Sequence, residues 1–219
     1  MIHVTSAPAC LAVDTASPLT RAQALTLASA TVLGQQVLGV ARYVPLPGNA
    51  PGGDITAPEL DGLLSAGLGV WLVQHVRRPG WTASPQYGTD CASAAVEYAQ
   101  RLGYLPGAQL CVDQEGCASQ GVAVARYLEA WAERVIAAGF LPCVYEGFSA
   151  GLTAEQLYAW LPSVHAYWSD YGTGRAVATR GFQIVQHPQQ AIAGLPYPFD
   201  ADSIAPDLLG GSLRWMVEA

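Results

Sequence analysis

The sequence contains no lysine, and only 12% of its 219 residues are charged, about half the usual share. Arginine and four histidines supply all its cationic side chains, the net charge is −7, and no basic cluster exceeds Arg77-Arg78. Binding nucleic acid requires a basic face that neutralises phosphates, so nucleic acid is not expected as a partner. No apolar run approaches the roughly 18 residues that a membrane span needs, and no span is expected. The five cysteines (Cys10, Cys91, Cys111, Cys117, Cys143) show no C-x-x-C spacing, which argues against a zinc site. Cys111 and Cys143 stand in apolar runs and read as small hydrophobes; whether Cys117 pairs with Cys91 or Cys111 is left open. The opening Met1-Ile2-His3-Val4-Thr5 lacks a basic segment followed by an apolar one, so no secretory signal is visible.

What the chain does have is strand candidates that end in polar groups. In Leu110-Cys111-Val112-Asp113-Gln114-Glu115-Gly116 an apolar run ends in two carboxylates. Side chains alternate along a strand, so Asp113 and Glu115 share one side and Gln114 takes the other. Two acids in one small volume repel each other and lose solvent, which separates their pKa values as acid/base chemistry requires. An acid after a strand also caps helices and holds turns, and that reading competes.

Further strand candidates are Cys10–Asp14, Val37–Val44, Val70–Val76, Leu141–Gly147, Ala166–Asp170, Phe182–His187 and a segment within Tyr197–Ile204. Between the first five lie helix patterns: Pro18 to Gly34, a Thr56-x-x-Glu59 capping box to about Gly67, a helix capped by Thr89 or Asp90 to Gly103, Ser119 to Gly139, and Thr153 to Pro162. On the fourth helix Val122, Ala125, Tyr127, Leu128, Trp131, Val135 and Ile136 form a broad apolar face. Alternating strands and helices imply an α/β fold with a parallel sheet. Five βα units followed by three strands close into a single TIM-like (β/α) barrel over residues 1–219. An open doubly wound sheet is the alternative, but no Gly-rich phosphate loop follows the first strand.

In such a barrel the functional face lies at the C-terminal strand ends. Those ends carry Asp14, Arg42-Tyr43, Gln74-His75, Asp113/Glu115, Tyr145-Glu146, Trp168/Asp170, Gln186-His187 and Asp200/Asp202. Carboxylates walled by aromatic rings are what glycoside hydrolysis uses: one acid for the leaving oxygen, one carboxylate for the cationic centre, flat rings for sugar stacking. Tyr43, Trp81, Tyr145, Trp168 and Tyr171 are candidate platforms, and Trp71, Trp131 and Trp160 read as core. His75 and His187 lack metal-ligand spacing, so no metal or other cofactor is expected.

Val13-Asp14-Thr15-Ala16-Ser17-Pro18-Leu19-Thr20, the run Val73-Gln74-His75-Val76-Arg77 with Trp81 after it, and Asp113-Gln114-Glu115-Gly116 resemble, in that order, the glycoside-hydrolase-like domains of actinobacterial secreted proteins and phages. More distantly the chain resembles glycoside hydrolase family 25, lysozymes built on a barrel of five βα units and three strands. The resemblance implies that Asp14 is the first-strand acid, Asp113 and Glu115 the D-x-E pair with Glu115 as general acid, and Asp200 the last-strand acid ahead of Asp202. Leu110 stands where the family 25 pattern D-x-x-D-x-E has its first acid.

The expectation is therefore a glycosidase acting on peptidoglycan or a related cell-wall glycan. Asp14, Asp113, Glu115 and Asp200 are its catalytic candidates, with Tyr43, His75, Trp81, Tyr145, Trp168, Asp170, Gln186 and Asp202 binding substrate. A glycan-binding module that keeps the cleft without turnover is the second reading, and a metal-dependent hydrolase using His75 and Asp113 the third. A monomer acting at the cell wall is expected, as a phage lysis or virion protein or exported by another route.

Overall fold

The computed structural model describes residues 1–48, 53–147, 151–171 and 177–219. In chain order its strands are β1 (Ile2–Ser6), β2 (Cys10–Thr15), β3 (Thr31–Val32), β4 (Gln35–Val44), β5 (Gly69–Gln74), β6 (Gln109–Asp113), β7 (Leu141–Tyr145), β8 (Ala166–Ser169), β9 (Ile184–Gln190), β10 (Phe199–Ile204) and β11 (Arg214–Glu218). The helices are α1 (Arg21–Ala28), α2 (Ala57–Ser65), α3 (Pro85–Arg101), α4 (Val122–Ala137) and α5 (Ala154–Trp160).

Eight strands close a barrel in the order β2, β4, β5, β6, β7, β8, β9, β10, with β10 returning to β2. Parallel pairing runs from β2 through β9. The last strand departs from the expected all-parallel sheet, because β10 lies antiparallel to both β9 and β2. The connection from β9 holds no helix to carry the chain back across the barrel, and a short connection returns a strand antiparallel.

Two packed layers result. Ala12, Ala41, Trp71, Val73, Cys111, Cys143 and Trp168 fill the barrel, and alternate residues such as Val13, Val40, Leu110 and Val144 face the helices. All five cysteines are free. The termini add strands where the sequence pattern shows none: β1 pairs with β11, and β11 reaches β5 at Val70. Trp215 of β11 thereby enters the barrel floor, lying where side chains on Gly39 and Gly69 would stand.

The helix boundaries shift for local reasons. α1 ends at Ala28, since Leu33 and Gly34, both at positive φ, turn β3 into β4; a two-residue turn of that hand fits strand twist. Ser84, followed by Pro85, caps α3 by accepting the Tyr87 N–H, so Thr89 and Asp90 lie inside the helix. Thr56 caps α2 as expected. Glu59 does not complete the box; its carboxylate pairs with the buried guanidinium of Arg42 at 2.7 Å. On α4, Val122 is 53% and Ile136 41% exposed, because at about 100° per residue Val122 falls opposite Trp131. Trp71 and Trp131 are core, whereas Trp160 on the short α5 is 39% exposed.

Candidate active site

The carboxylates meet where β2, β6 and β10 open at one end of the barrel. Strand parity turns Asp14 inward on β2. Its Oδ1 accepts from the Tyr43 hydroxyl at 3.1 Å and its Oδ2 from Nε2 of Gln186 at 2.8 Å. Gln186 Oε1 in turn accepts from the Tyr145 hydroxyl at 2.9 Å. Four strands thus contribute one chain of hydrogen bonds, Tyr145 to Gln186 to Asp14, with Tyr43 closing it. Burial, with Asp200 adding, pushes Asp14 up to about 7 against the pull of these donors. Tyr43 and Tyr145 are also raised, burial being the first cause.

On β6, Asp113 is buried and its Oδ1 accepts the Glu115 N–H at 2.9 Å. Burial pushes Asp113 up to about 8; the neighbouring Glu115 adds to the rise, and Arg77 and the Glu115 N–H oppose it. Glu115 lies at the rim, partly exposed. Its side chain rests where a Cβ on Gly147 would be, just past the end of β7, and Gly147 sits at φ +51°. The expectation that Asp113 and Glu115 share a side agrees with their electrostatic contact. Gln114 is wholly buried on the other side, and its N–H donates to the Tyr145 carbonyl. Leu110 packs in the layer facing the helices. The departure from the family 25 pattern at that position therefore removes no carboxylate from the barrel mouth.

Because β10 is antiparallel, Asp200 and Asp202 stand near its start rather than its end. Asp200 lies directly opposite Asp14 and is half-buried, and burial raises its pKa. Asp202 lies one inward step deeper, opposite Ala12, and is fully buried. Burial holds it well above the carboxylate range, and Asp14 adds to the shift.

Trp168 does not form an exposed platform. It is 1% exposed, donates Nε1 to Asp202 Oδ1 at 2.8 Å, and packs edge-on to Tyr145 and Trp71. Its ring lies beneath the carboxylates, since residue 168 points into the barrel one residue before β8 ends. Asp170, just past β8, is buried and bears electrostatically on Tyr145. Tyr171 is 65% exposed. His75 packs against Tyr43 with the rings tilted by 39° and their centroids 4.8 Å apart, and its Nε2 lies 2.9 Å from Asp54 Oδ1. Burial lowers His75, with Asp54 opposing. Trp81 is partly exposed and donates Nε1 to the Glu115 carbonyl at 2.8 Å. His187 meets Ser203 instead of the mouth.

Two features escaped the sequence pattern. Asp54 follows a Pro/Gly-rich loop with no periodicity to mark it, and Gly147 reads as an ordinary strand stop. Among the described residues, two cavities lie apart from Asp14 and Asp113. One of about 790 Å³ is lined by Cys117, Gln120, Gly121 and Leu152 among others, and one of about 530 Å³ by Leu19, Asp54, Glu59 and Tyr98 among others. Among the described residues no group of three or more His, Cys, Asp and Glu side chains is arranged to hold a metal ion.

Residues 30–195, most of the chain, match the Rv2525c-like, glycoside hydrolase-like domain. This chain belongs to that family. No curated protein matches it by sequence. Among solved structures, the Mycobacterium tuberculosis Tat-secreted protein Rv2525c in complex with L-tartrate superposes with a TM-score of 0.68 at 17% identity, covering 93% of this chain and 98% of that one. The catalytic domain of endolysin ply40 from bacteriophage P40 of Listeria monocytogenes gives 0.59 at 16% identity, covering 92% and 95%. The modular autolysin LytC from Streptococcus pneumoniae gives 0.60 at 14%, covering 89% of this chain and 46% of that one. At these identities the Rv2525c-like domain shares its fold with them, and the likeness to lysozyme-type barrels expected from the sequence is found.

Proposed function

We propose that this Rv2525c-like domain is a glycoside hydrolase acting on peptidoglycan or a related cell-wall glycan, with Glu115 as its general acid. The observation that carries the reading is the convergence of Asp14, Asp113 and Glu115 on one barrel mouth, with burial holding Asp113 near 8 and Asp14 near 7. Glycosidic cleavage through an oxocarbenium-like transition state uses one carboxylic acid to protonate the leaving oxygen and a second carboxylate for the developing positive charge. Glu115, at the rim, reaches a bound chain, while Asp113 lies buried behind it. Asp14, ordered by Tyr43 and Gln186, supplies the carboxylate facing the cationic centre. Asp113, protonated at neutral pH, spares the acid pair a buried charge beside Glu115. Tyr43, His75, Tyr145, Gln186 and Asp170 line the substrate side, with Asp200 at the rim opposite Asp14 and Asp202 beneath it. An endolysin and an autolysin among the structural neighbours, together with a Tat-secreted one, support action at the cell wall after export or lysis.

The test is release of new reducing ends from purified peptidoglycan by the wild type and by Glu115→Gln, with and without EDTA. The expected result is EDTA-resistant release that falls by at least about 10²-fold on substitution while glycan binding persists. Binding without release by either protein would make the domain a glycan-binding module. Release abolished by EDTA would mean a metal-dependent hydrolase.

A further inference from the structure

Arg77, in the connection after β5, is a buried cation with no ion-pair partner among the described carboxylates. Its guanidinium lies 4.5 Å from the Trp81 ring centroid, 5.0 Å from Tyr127 and 5.5 Å from Tyr87. Burying an unpaired charge is costly, and three aromatic faces offset part of that cost. The donors show what the charge holds. Nη2 donates to the Tyr127 hydroxyl in a close contact, and Nη1 to the main-chain oxygen of Asp113 at 2.8 Å.

The same connection grips the chain further along. Trp81 Nε1 donates to the Glu115 carbonyl at 2.8 Å, the Gly80 N–H to the Gly116 carbonyl at 2.8 Å, and the Ala118 N–H to the Trp81 carbonyl at 2.8 Å. The β5–β6 ladder has already stopped at Gln74 and Val112. On the β7 side, among the described residues, the Gln114 N–H alone continues the pairing. The segment that carries Glu115 thus leaves the barrel sheet and is held by this connection instead.

We infer that Arg77 and Trp81 are positioning residues, which lock the backbone of Asp113 and Glu115 so that the Glu115 carboxyl stays at the barrel mouth against Gly147. The inference rests on the proposed function for what Glu115 does there. The planar fork explains the choice of arginine. A lysine ammonium is a point charge and does not span a main-chain oxygen and a tyrosine hydroxyl in one rigid geometry.

The variants are Trp81→Phe, which keeps a ring and removes the indole N–H, and Arg77→Lys, which keeps the charge and removes the fork. Amide hydrogen exchange, thermal midpoint and steady-state kinetics on peptidoglycan are compared with the wild type. Positioning predicts that β5–β6 ladder amides keep their protection while Gly80 and Ala118 exchange about tenfold faster. It also predicts that kcat falls about tenfold at unchanged KM, as for a group acting through the reacting residue's placement. Unchanged exchange at Gly80 and Ala118 in Trp81→Phe would overturn the inference. So would loss of protection spread evenly over the ladders, the signature of packing alone. If the wild type does not cleave peptidoglycan, the proposed function fails, and the exchange measurement still decides whether the clamp exists.

Discussion

Asp113 is a carboxylic acid that the fold keeps from ionising. In the unfolded chain it would lose its proton near 3.8, and in the barrel it holds it up to about 8. Between those limits the folded state binds more protons than the unfolded one, so stability falls as pH rises through that window and levels off above about 8. Asp14 adds a parallel loss that ends near 7. Each group contributes at most about 1.4 kcal/mol per pH unit. Asp113→Asn keeps an oxygen for the Glu115 N–H and abolishes the ionisation. The expected outcome is a flatter stability curve between pH 5 and 8 and greater stability than the wild type at pH 8, read by denaturant unfolding at both values. Equal slopes in the two proteins would show that Asp113 ionises normally in the fold. The closeness of Asp113 and Glu115 was legible from their spacing, although the strand ends at Asp113 and a turn, not strand alternation, brings Glu115 back to it. The burial of Trp168 was not, because a strand-end tryptophan reads alike whether its ring lies above the barrel mouth or below it.

At the scale of elements, Trp215 shows how little one segment says about its partner. Nothing in Arg214–Glu218 marks it as a plug, yet its indole occupies the space that Gly39 and Gly69 leave empty. Gly69→Ala would put a methyl group into that ring. The expected cost is about 1–3 kcal/mol, typical of overpacking in a close-packed interior, and it appears as a lowered thermal midpoint. An unchanged midpoint would mean that the floor is loosely packed. Elements with local signals were readable: Thr153 and Gln156 form the reciprocal capping box at α5, and Thr56 caps α2. The α2 box failed at Glu59 because Arg42, buried on β4, competes for the same carboxylate. That is a long-range ion pair, invisible to local spacing. Removing one partner of such a pair strands a buried charge, so Arg42→Met is expected to destabilise by about 3–5 kcal/mol, measured by denaturant midpoint. A loss below about 1 kcal/mol would show that Glu59 finds another partner.

Over the whole molecule, the eight-strand closure followed from alternating strand and helix patterns, while the reversal of β10 did not. That reversal depends on a connection without a helix, and it decides which end of the strand faces substrate. It sets Asp200 at the rim opposite Asp14 and sinks Asp202 beneath it. The resulting mouth gathers acids from the first, fourth and last strands of the barrel and donors from the second, fifth and seventh. The proposed cell-wall glycosidase rests on that gathering, and the chemistry of the bond it would break is open to direct observation. Purified peptidoglycan is digested with the protein, the soluble products are reduced with borohydride, and their masses are determined. The account predicts glycan fragments with one newly reducible sugar end each and their stem peptides intact. Soluble peptides without shortened glycan, or a wall left whole by a folded protein that binds it, would contradict the assignment of this barrel mouth as a glycosidase.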